Sequence, residues 1–251
     1  MAERRRVPLR TGCEQPHACP PPVRLAVLRQ VPYFAGLDDA ELADVDARMD
    51  SFAWAAGDAL YTQGEPGAHL YVLASGRVKT FVTGPDGAEV VTELLVPGRL
   101  FGGLAGLGAP EHSDTAEALT TACALRIGQA AFREVLTRHP AVALRVLDDV
   151  AARLARARSR EGTTGTVAQR VATTLLRLAD ELGQERAAGG TLLQVPLTRA
   201  DLAGLTGSTP ESVSRVISRW RREGLVEAGR RWIGVLDRPV LERVAAGDRT
   251  D

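Results

Sequence analysis

Residues 198–221, TRADLAGLTGSTPESVSRVISRWR, constrain the fold of this chain more than any other stretch. They read as two short helices joined by a turn that contains glycine. The first helix carries apolar or small residues at Ala200, Leu202, Ala203 and Leu205. Thr198 stands at its N-cap with Asp201 three residues on, close to the capping-box pattern. Gly207 supplies a backbone able to take positive φ and so ends the helix. Ser208 or Thr209 caps the next helix, and Pro210 falls in its first turn, where a missing N–H costs nothing. The second helix buries Val213, Val216, Ile217 and Trp220, spaced three and four apart, and turns Glu211, Ser214, Arg215 and Arg219 outward. After Gly224, residues 225–236 form two β-prone runs around Gly229 with Arg230 and Arg231 at the tip, the pattern of a wing.

A helix-turn-helix places the N-terminal part of its second helix in the major groove of DNA, which makes Glu211, Ser214 and Arg215 candidates for base contact. Arginine can grip O6 and N7 of guanine, glutamate can accept from the cytosine amino group, and a hydroxyl can serve either role. Thr198, Arg199, Ser208, Thr209, Arg219 and Arg231 are candidates for phosphate contact. The alternative is a three-helix interaction module whose arginines form a solvated face.

A formal net charge of zero does not oppose this reading, because charge is divided along the chain. Residues 30–128 hold 5 basic and 14 acidic side chains, whereas residues 211–231 hold six arginines against three glutamates. A local basic stripe suffices to steer phosphates. The 251 residues allow two domains with real cores, which the scarcity of aromatics assigns to Leu, Val and Ala. No apolar run is long enough to span a bilayer and no signal-peptide segment follows the N-terminus, so a cytoplasmic location without membrane contact is expected. Three cysteines in that compartment suggest thiols or ligands rather than structural disulfides.

The fold class expected is α+β. Residues 30–128 show short strand-like runs at 70–74, 77–83 and 89–96, broken by Gly64, Gly67, Gly76, Gly84, Gly87 and Gly98. Regular short strands suggest a β-roll or jelly roll. A long helical pattern follows over about 130–160, with a break or restart at Pro140. Leu144, Leu147, Val150, Ala151 and Leu154 lie close to an a/d seam, suggesting a parallel dimer; the alternative is that this stripe packs on its own roll. Residues 162–165 read as a hinge. The expected domains are an extension at 1–29, a roll at 30–128, a dimer helix at 129–162, a winged helix-turn-helix at 163–240 and a tail at 241–251.

Across residues 30–240 this order resembles the CRP/FNR family of bacterial transcription regulators. The resemblance is carried by GEPGAHLYVLASGRVK at 64–79, PGRLFG at 97–102, the long helix, and the helix-turn-helix with wing. It implies a cyclic-nucleotide-binding-like roll that senses an effector and sets two recognition helices on a palindromic site. The partners it implies are double-stranded DNA, a second copy of the chain and RNA polymerase. Glu211, Ser214 and Arg215 look like the Glu-x-x-Ser-Arg pattern of the FNR branch, which implies a TTGAT-like half-site; Pro210 departs from that pattern.

Cyclic-nucleotide-binding members place a glutamate after the Phe-Gly of the roll and an Arg-Ser pair about ten residues on. Here the glutamate position is Gly103, and no arginine occurs between Arg99 and Arg126. Cyclic AMP is therefore not expected, since its phosphate would be buried without a cation; backbone amides at 102–108 leave anion binding open. An iron–sulfur cluster is the sharper candidate. Cys13 and Cys19 in the extension and Cys123 in a strand match places that hold a cluster in oxygen-sensing members, while Arg10 stands where those have a further cysteine. Four thiolates are usual, so a fourth ligand must come from elsewhere, with His17, Glu14 or an aspartate as options. The alternative makes Cys123 a small core residue and the N-terminal pair ordinary tail thiols. Haem or nitric oxide sensing is another candidate, although His17, His69, His112 and His139 show no haem spacing and read as turn or surface residues. No Gly-x-Ser-x-Gly, P-loop, His-Glu-x-x-His or Rossmann fingerprint is present, and no enzyme activity is expected.

Overall fold

The computed structural model describes residues 19–85, 87, 89–102, 111–161, 165–187, 189–229 and 232–248, with the side chains of 153–161 outside the description. Two compact units divide them. One comprises the described residues up to Val82 with those from Leu94 to Glu161, and the other comprises Thr83–Glu93 with those from Gly165 onward.

Eight strands build the first unit's roll: β1 (Asp50–Trp54), β2 (Ala59–Tyr61), β3 (His69–Ser75), β4 (Val78–Thr83), β5 (Glu89–Leu95), β6 (Leu100–Gly102), β7 (Thr115–Ala118) and β8 (Ala122–Gly128). They form two four-stranded sheets, ordered β1-β8-β3-β6 and β2-β7-β4-β5. Thr83 at the end of β4 and most of β5, Glu89–Glu93, fall within Thr83–Glu93 and so group with the second unit. Strand β3 explains how one sheet serves two cores. Its alternate residues point to opposite faces, so Leu70 and Val72 join the helices while Tyr71 and Leu73 face the other sheet. Both faces are buried, which is why the run lacks polar alternation. Between β3 and β4, Gly76 takes φ +85°, and a Cβ there would lie 2.4 Å from the Thr121 carbonyl oxygen.

The helical core of this unit gathers α1 (Pro21–Leu28), α2 (Asp39–Asp46), α3 (Gln129–Arg138) and α4 (Pro140–Glu161). Pro140 does restart the helix, at the first residue of α4. Helix α1 lies in the stretch expected to be an extension, yet its Val27 and Leu28 are buried in the core. On α4, Val142 and Val146 pack on the roll, and Tyr33 donates from Oη to Asp149 at 2.5 Å. Leu144, Leu147, Val150 and Ala151 are instead exposed, by 63, 62 and 44% for the first three, so they are not the stripe that packs on the roll. The side chain of Leu154 and residues 162–164 of the expected hinge lie outside the described residues.

The cores rest mainly on Leu, Val and Ala, as expected, but the scarce aromatics join them. The few aromatics are concentrated inside: Tyr61, Tyr71 and Phe101 stack within the roll, and Phe34, Phe132 and Trp220 are among the largest fully buried side chains. Rings bury more apolar area per residue than aliphatic chains, so a small number suffices.

In the second unit α5 (Val167–Leu182) starts at a Thr166–Gln169 capping box and buries Val171, Leu175, Leu178 and Leu182 along one stripe. Helices α6 (Arg199–Thr206), α7 (Pro210–Arg222) and α8 (Arg238–Ala246) pack with it. A third sheet, β11-β12-β10-β9, contains β9 (Gln184–Glu185), β10 (Thr191–Leu193), β11 (Val226–Ala228) and β12 (Ile233–Val235). The wing is the β11–β12 hairpin, closed by Gly229 donating to the Trp232 carbonyl. Residues 241–246, expected as tail, complete α8 and bury Leu241 and Val244.

Candidate nucleic-acid interface

Local rules build the reader almost entirely. The Thr198 hydroxyl accepts from the Asp201 amide at 3.0 Å and donates to the Asp201 carboxylate at 2.7 Å, and that carboxylate accepts from the Thr198 amide at 2.8 Å. Gly207 closes α6 at φ +57° and ψ 44° with nothing within 4 Å of a would-be Cβ, so backbone conformation alone asks for glycine. Thr209, not Ser208, is the N-cap of α7 and accepts from the Ser212 amide at 3.2 Å. The inner face is as expected: Val213, Ile217 and Trp220 are fully buried and Val216 nearly so. Ala200 departs from expectation, because it faces solvent while Thr206 turns inward and bonds the Leu202 carbonyl.

With that face fixed, Glu211 and Arg215 are exposed and Ser214 is half-buried on the opposite side of α7. Ser218 and Arg222 extend the same face by further turns. Ser214, Arg215, Ser218, Arg219 and Arg222 line a shallow groove of about 530 Å³. Glu211 in the first turn and Arg219, Arg221 and Arg222 in the last complement the helix dipole and leave the C-terminal end strongly positive.

The expected phosphate contacts divide into two groups. Thr198, Ser208 and Thr209 use their hydroxyls inside the protein: Thr198 and Thr209 in caps, and Ser208 as acceptor from Arg170 at 2.9 Å and donor to the Thr206 carbonyl at 3.4 Å. They position the helices. Arg199 is half-buried at the first position of α6, where burial and then the neighbouring Arg221 charge press its guanidinium below the ordinary arginine range. Arg231 lies outside the described residues.

Arg170, which sequence reasoning missed, fastens the turn. Its guanidinium donates to the carbonyls of Thr206 at 2.7 Å, Gly165 at 2.6 Å and Gly207 at 3.3 Å, besides Ser208. Thr206 and Gly207 stand at the end of α6, where carbonyls lack intrahelical partners, and Gly165 lies just before α5. No local pattern reveals an arginine 36 residues away from its acceptor. Ser218 and Arg222, by contrast, could have been found by carrying the outward stripe two turns further.

The sensor candidates lie in the first unit. Cys123 sits on β8, half-buried, rather than fully in the core, and Cys19 precedes α1. Burial pushes the Cys19 thiol up, the negative charge of a Cys123 thiolate adds to the rise, and Arg24 opposes it ahead of a further contribution from Asp46. Cys19 is thus within electrostatic reach of Cys123 and of Arg24 and Asp46, which pair with each other at 2.7 Å. Cys13 lies outside the described residues, and among the described residues no three His, Cys, Asp or Glu side chains are grouped to hold a metal. Inside the roll, Tyr61 donates to Asp114 at 3.2 Å and Lys79 pairs with Glu117 at 3.7 Å. Residues 103–110, including Gly103 and most of the glycine-rich turn, lie outside the described residues. The histidines correct the sequence expectation: His112 is 6% exposed and stacked on Tyr61 at 3.8 Å, and His69 is half-buried on β3.

Two family profiles match the chain: a cyclic nucleotide-binding domain over residues 52–139 and a Crp-like helix-turn-helix domain over residues 169–244. The cyclic AMP receptor protein of Thermus thermophilus is 33% identical over 226 residues, which cover 86% of this chain and 97% of that protein. The transcriptional activator protein FnrA of Stutzerimonas stutzeri is 27% identical over 201 residues, 76% of this chain and 78% of that protein. Among solved structures, a CRP-family transcriptional regulator of Thermus thermophilus is similar with a TM-score of 0.64 at 32% identity, covering 77% of this chain and 96% of its own. The chain belongs to the CRP/FNR family of transcriptional regulators, with a cyclic-nucleotide-binding-type roll followed by a DNA-binding Crp-like helix-turn-helix. Among the described residues no helix is long and apolar enough to cross a membrane.

Proposed function

We propose that this regulator works as a homodimer whose two α7 helices read a palindrome of TTGAT-like half-sites through Glu211, Ser214 and Arg215, in the manner of the FNR branch. The observation that carries this reading is the solvent-facing Glu211-Ser214-Arg215 row on a helix locked by Trp220 and its neighbours. Arg215 pairs with a guanine and Glu211 with a cytosine amino group, while Arg199, Arg219 and Arg231 hold phosphates. The exposed Leu144, Leu147, Val150 and Ala151, continued by Leu154, form the dimer seam. RNA polymerase is the second macromolecular partner in this reading.

Fluorescence anisotropy at fixed salt on the palindrome and on single-base variants tests it. Arg215→Ala should weaken operator binding by about 1–3 kcal/mol and flatten discrimination at one position per half-site. Unchanged preference in that variant would refute the docking. Leu147→Glu should convert a dimer to a monomer by light scattering; a wild type that is already monomeric would refute the seam.

For the effector we propose a thiol site built from Cys13, Cys19 and Cys123. It is supported by the electrostatic reach between Cys19 and Cys123 and by the raised Cys19 thiol, whose thiolate a metal would stabilise. An iron–sulfur cluster held there would supply an oxygen- and redox-labile link between the N-terminal segment and β8. The protein's part is to bring the thiolates together and offset their charge with Arg24. Anaerobic purification followed by iron and sulfide analysis, with thiol alkylation before and after air, decides it. A metal-free protein with three alkylatable thiols under both conditions would remove the cluster.

A further inference from the structure

We propose that a cavity between α4 and the start of β6 binds a free α-amino acid with an aliphatic side chain. The cavity holds about 320 Å³ and lies wholly within the first unit. A single-turn helix, Pro32–Phe34, supplies Pro32 and Tyr33 to its wall; β6 supplies Leu100, preceded by Arg99; and α4 supplies Arg145 and Asp148. Tyr33 and Leu100 belong to the helical core, whereas Phe101 joins the aromatic stack on the other face of the sheet. The cavity is therefore separate from the interior of the roll.

The wall carries charge of both signs, and the protein keeps the two apart. Arg145 and Asp149, a further lining residue, stand four residues apart on α4, a spacing at which a cation and a carboxylate ordinarily pair. Here the Tyr33 hydroxyl donates to Asp149 at 2.5 Å, while Arg145 donates from Nη1 to the Pro32 carbonyl at 3.0 Å. Gly36 lies beside the same guanidinium, where a Cβ would stand 3.4 Å from Nη2. The Pro32 bond fixes the Arg145 head through one nitrogen and leaves its other N–H groups for an external acceptor. Among the described residues Arg145 has no carboxylate partner, and Asp148 has neither a hydrogen bond nor an ion pair. Arg145 and Asp148 are three residues apart, so about 5–6 Å separates their Cβ atoms along α4. One small molecule can meet both: a carboxylate accepts from the guanidinium, and an ammonium donates to the aspartate. An α-amino acid carries those two groups on one carbon. Its side chain is left for Pro32 and Leu100, an apolar surface that favours an aliphatic chain. A simple anion would leave Asp148 opposing it, and a simple amine would leave Arg145 opposing it. Occupancy ties the turn at Pro32 to the helix that also carries the exposed Leu144 and Leu147, which gives the ligand a lever on α4.

The test is isothermal titration calorimetry of the full-length protein with L-leucine, with 4-methylpentanoate, which lacks the ammonium, and with isopentylamine, which lacks the carboxylate. Leucine should bind about tenfold more tightly than either fragment. Arg145→Met should weaken leucine about tenfold and leave isopentylamine unchanged. Asp148→Asn should weaken leucine by a similar factor and leave 4-methylpentanoate unchanged. Both side chains are exposed, so the unfolding midpoints of the free variants should stay close to that of the wild type. Glycine, with no side chain to lay on Pro32 and Leu100, should bind more weakly than leucine. No binding of leucine by calorimetry and by saturation-transfer NMR at millimolar ligand would overturn the site. Equal affinity for leucine and 4-methylpentanoate, or leucine affinity unchanged in both variants, would overturn it as well. The titrations contain no DNA, so their outcome is independent of the DNA reading proposed above.

Discussion

The reader and the roll put their polar groups to opposite uses. On α7 the polar side chains point outward from a helix anchored by Trp220, and Glu211 and Arg215 stand in solvent. In the roll the polar groups point inward and bind one another, as in Tyr61 with Asp114, Lys79 with Glu117, and the His112 ring on Tyr61. A row of free donors and acceptors on a rigid helix is suited to an external pattern of base edges. A network satisfied internally fixes the shape of a domain and gives little hint of what it binds. The difference teaches that the side chains proposed to read DNA are those left facing solvent, whereas the roll spends its polar groups on its own interior.

The largest test of that division strikes the anchor of the reader. Trp220 is fully buried, and Trp220→Ala should cost the C-terminal unit about 3–5 kcal/mol. Hydrogen exchange read by mass spectrometry should show faster exchange in α5 and α7 and unchanged protection in β3 and β8. Loss of protection in both units together would break the comparison, since the anchor would then hold more than the reader.

A smaller effect is expected at Arg170. Arg170→Ala removes one donor group from three carbonyls and the Ser208 hydroxyl, and should destabilise the reader by roughly 1.5–3 kcal/mol. Because Arg170 sets the turn and not the reading row, operator preference at saturating protein should be unchanged while affinity falls. A variant that changed base preference would mean that the turn itself takes part in readout.

These two residues also show what can be read from sequence. Trp220 belongs to a stripe whose spacing is set by the helix period, and Thr198, Asp201, Gly207, Thr209 and Pro210 obey rules that act within four residues. The reader is therefore legible down to single side chains. Arg170 acts across the fold, as does the Tyr61, Tyr71, Phe101 and His112 stack. Those contacts depend on strand order and on pairings such as β3 with β8, which no local period encodes. Helix α1, with two prolines at its start and a short apolar run, reads as extension because its burial comes from the roll beneath it. Strands in the roll are legible, but their two-faced burial is not, because alternation is invisible when both faces are apolar.

The smallest expected effect separates the units by their titratable groups. His112 is 6% exposed, and burial holds its pKa below the ordinary 6.5, with Glu65 opposing that shift and His69 adding to it. His69 is lowered as well, by burial and then by Arg126. In both cases the folded roll binds fewer protons than the unfolded chain once the pH falls below the unfolded value. Stability should then be full above about pH 6.5 and decline as the pH drops through 6.5 toward the lower folded values. The C-terminal unit has no histidine after His139, so its protection should not follow this window. Hydrogen exchange at pH 7.5 and 5.5, corrected for intrinsic rates, should show the roll peptides losing protection and those of α5 and α7 holding theirs. His112→Phe keeps a ring against Tyr61 and should reduce the roll's response, with the remainder left to His69. An unchanged response in that variant would mean that the inward network, not the buried imidazole, carries the roll's sensitivity to acid.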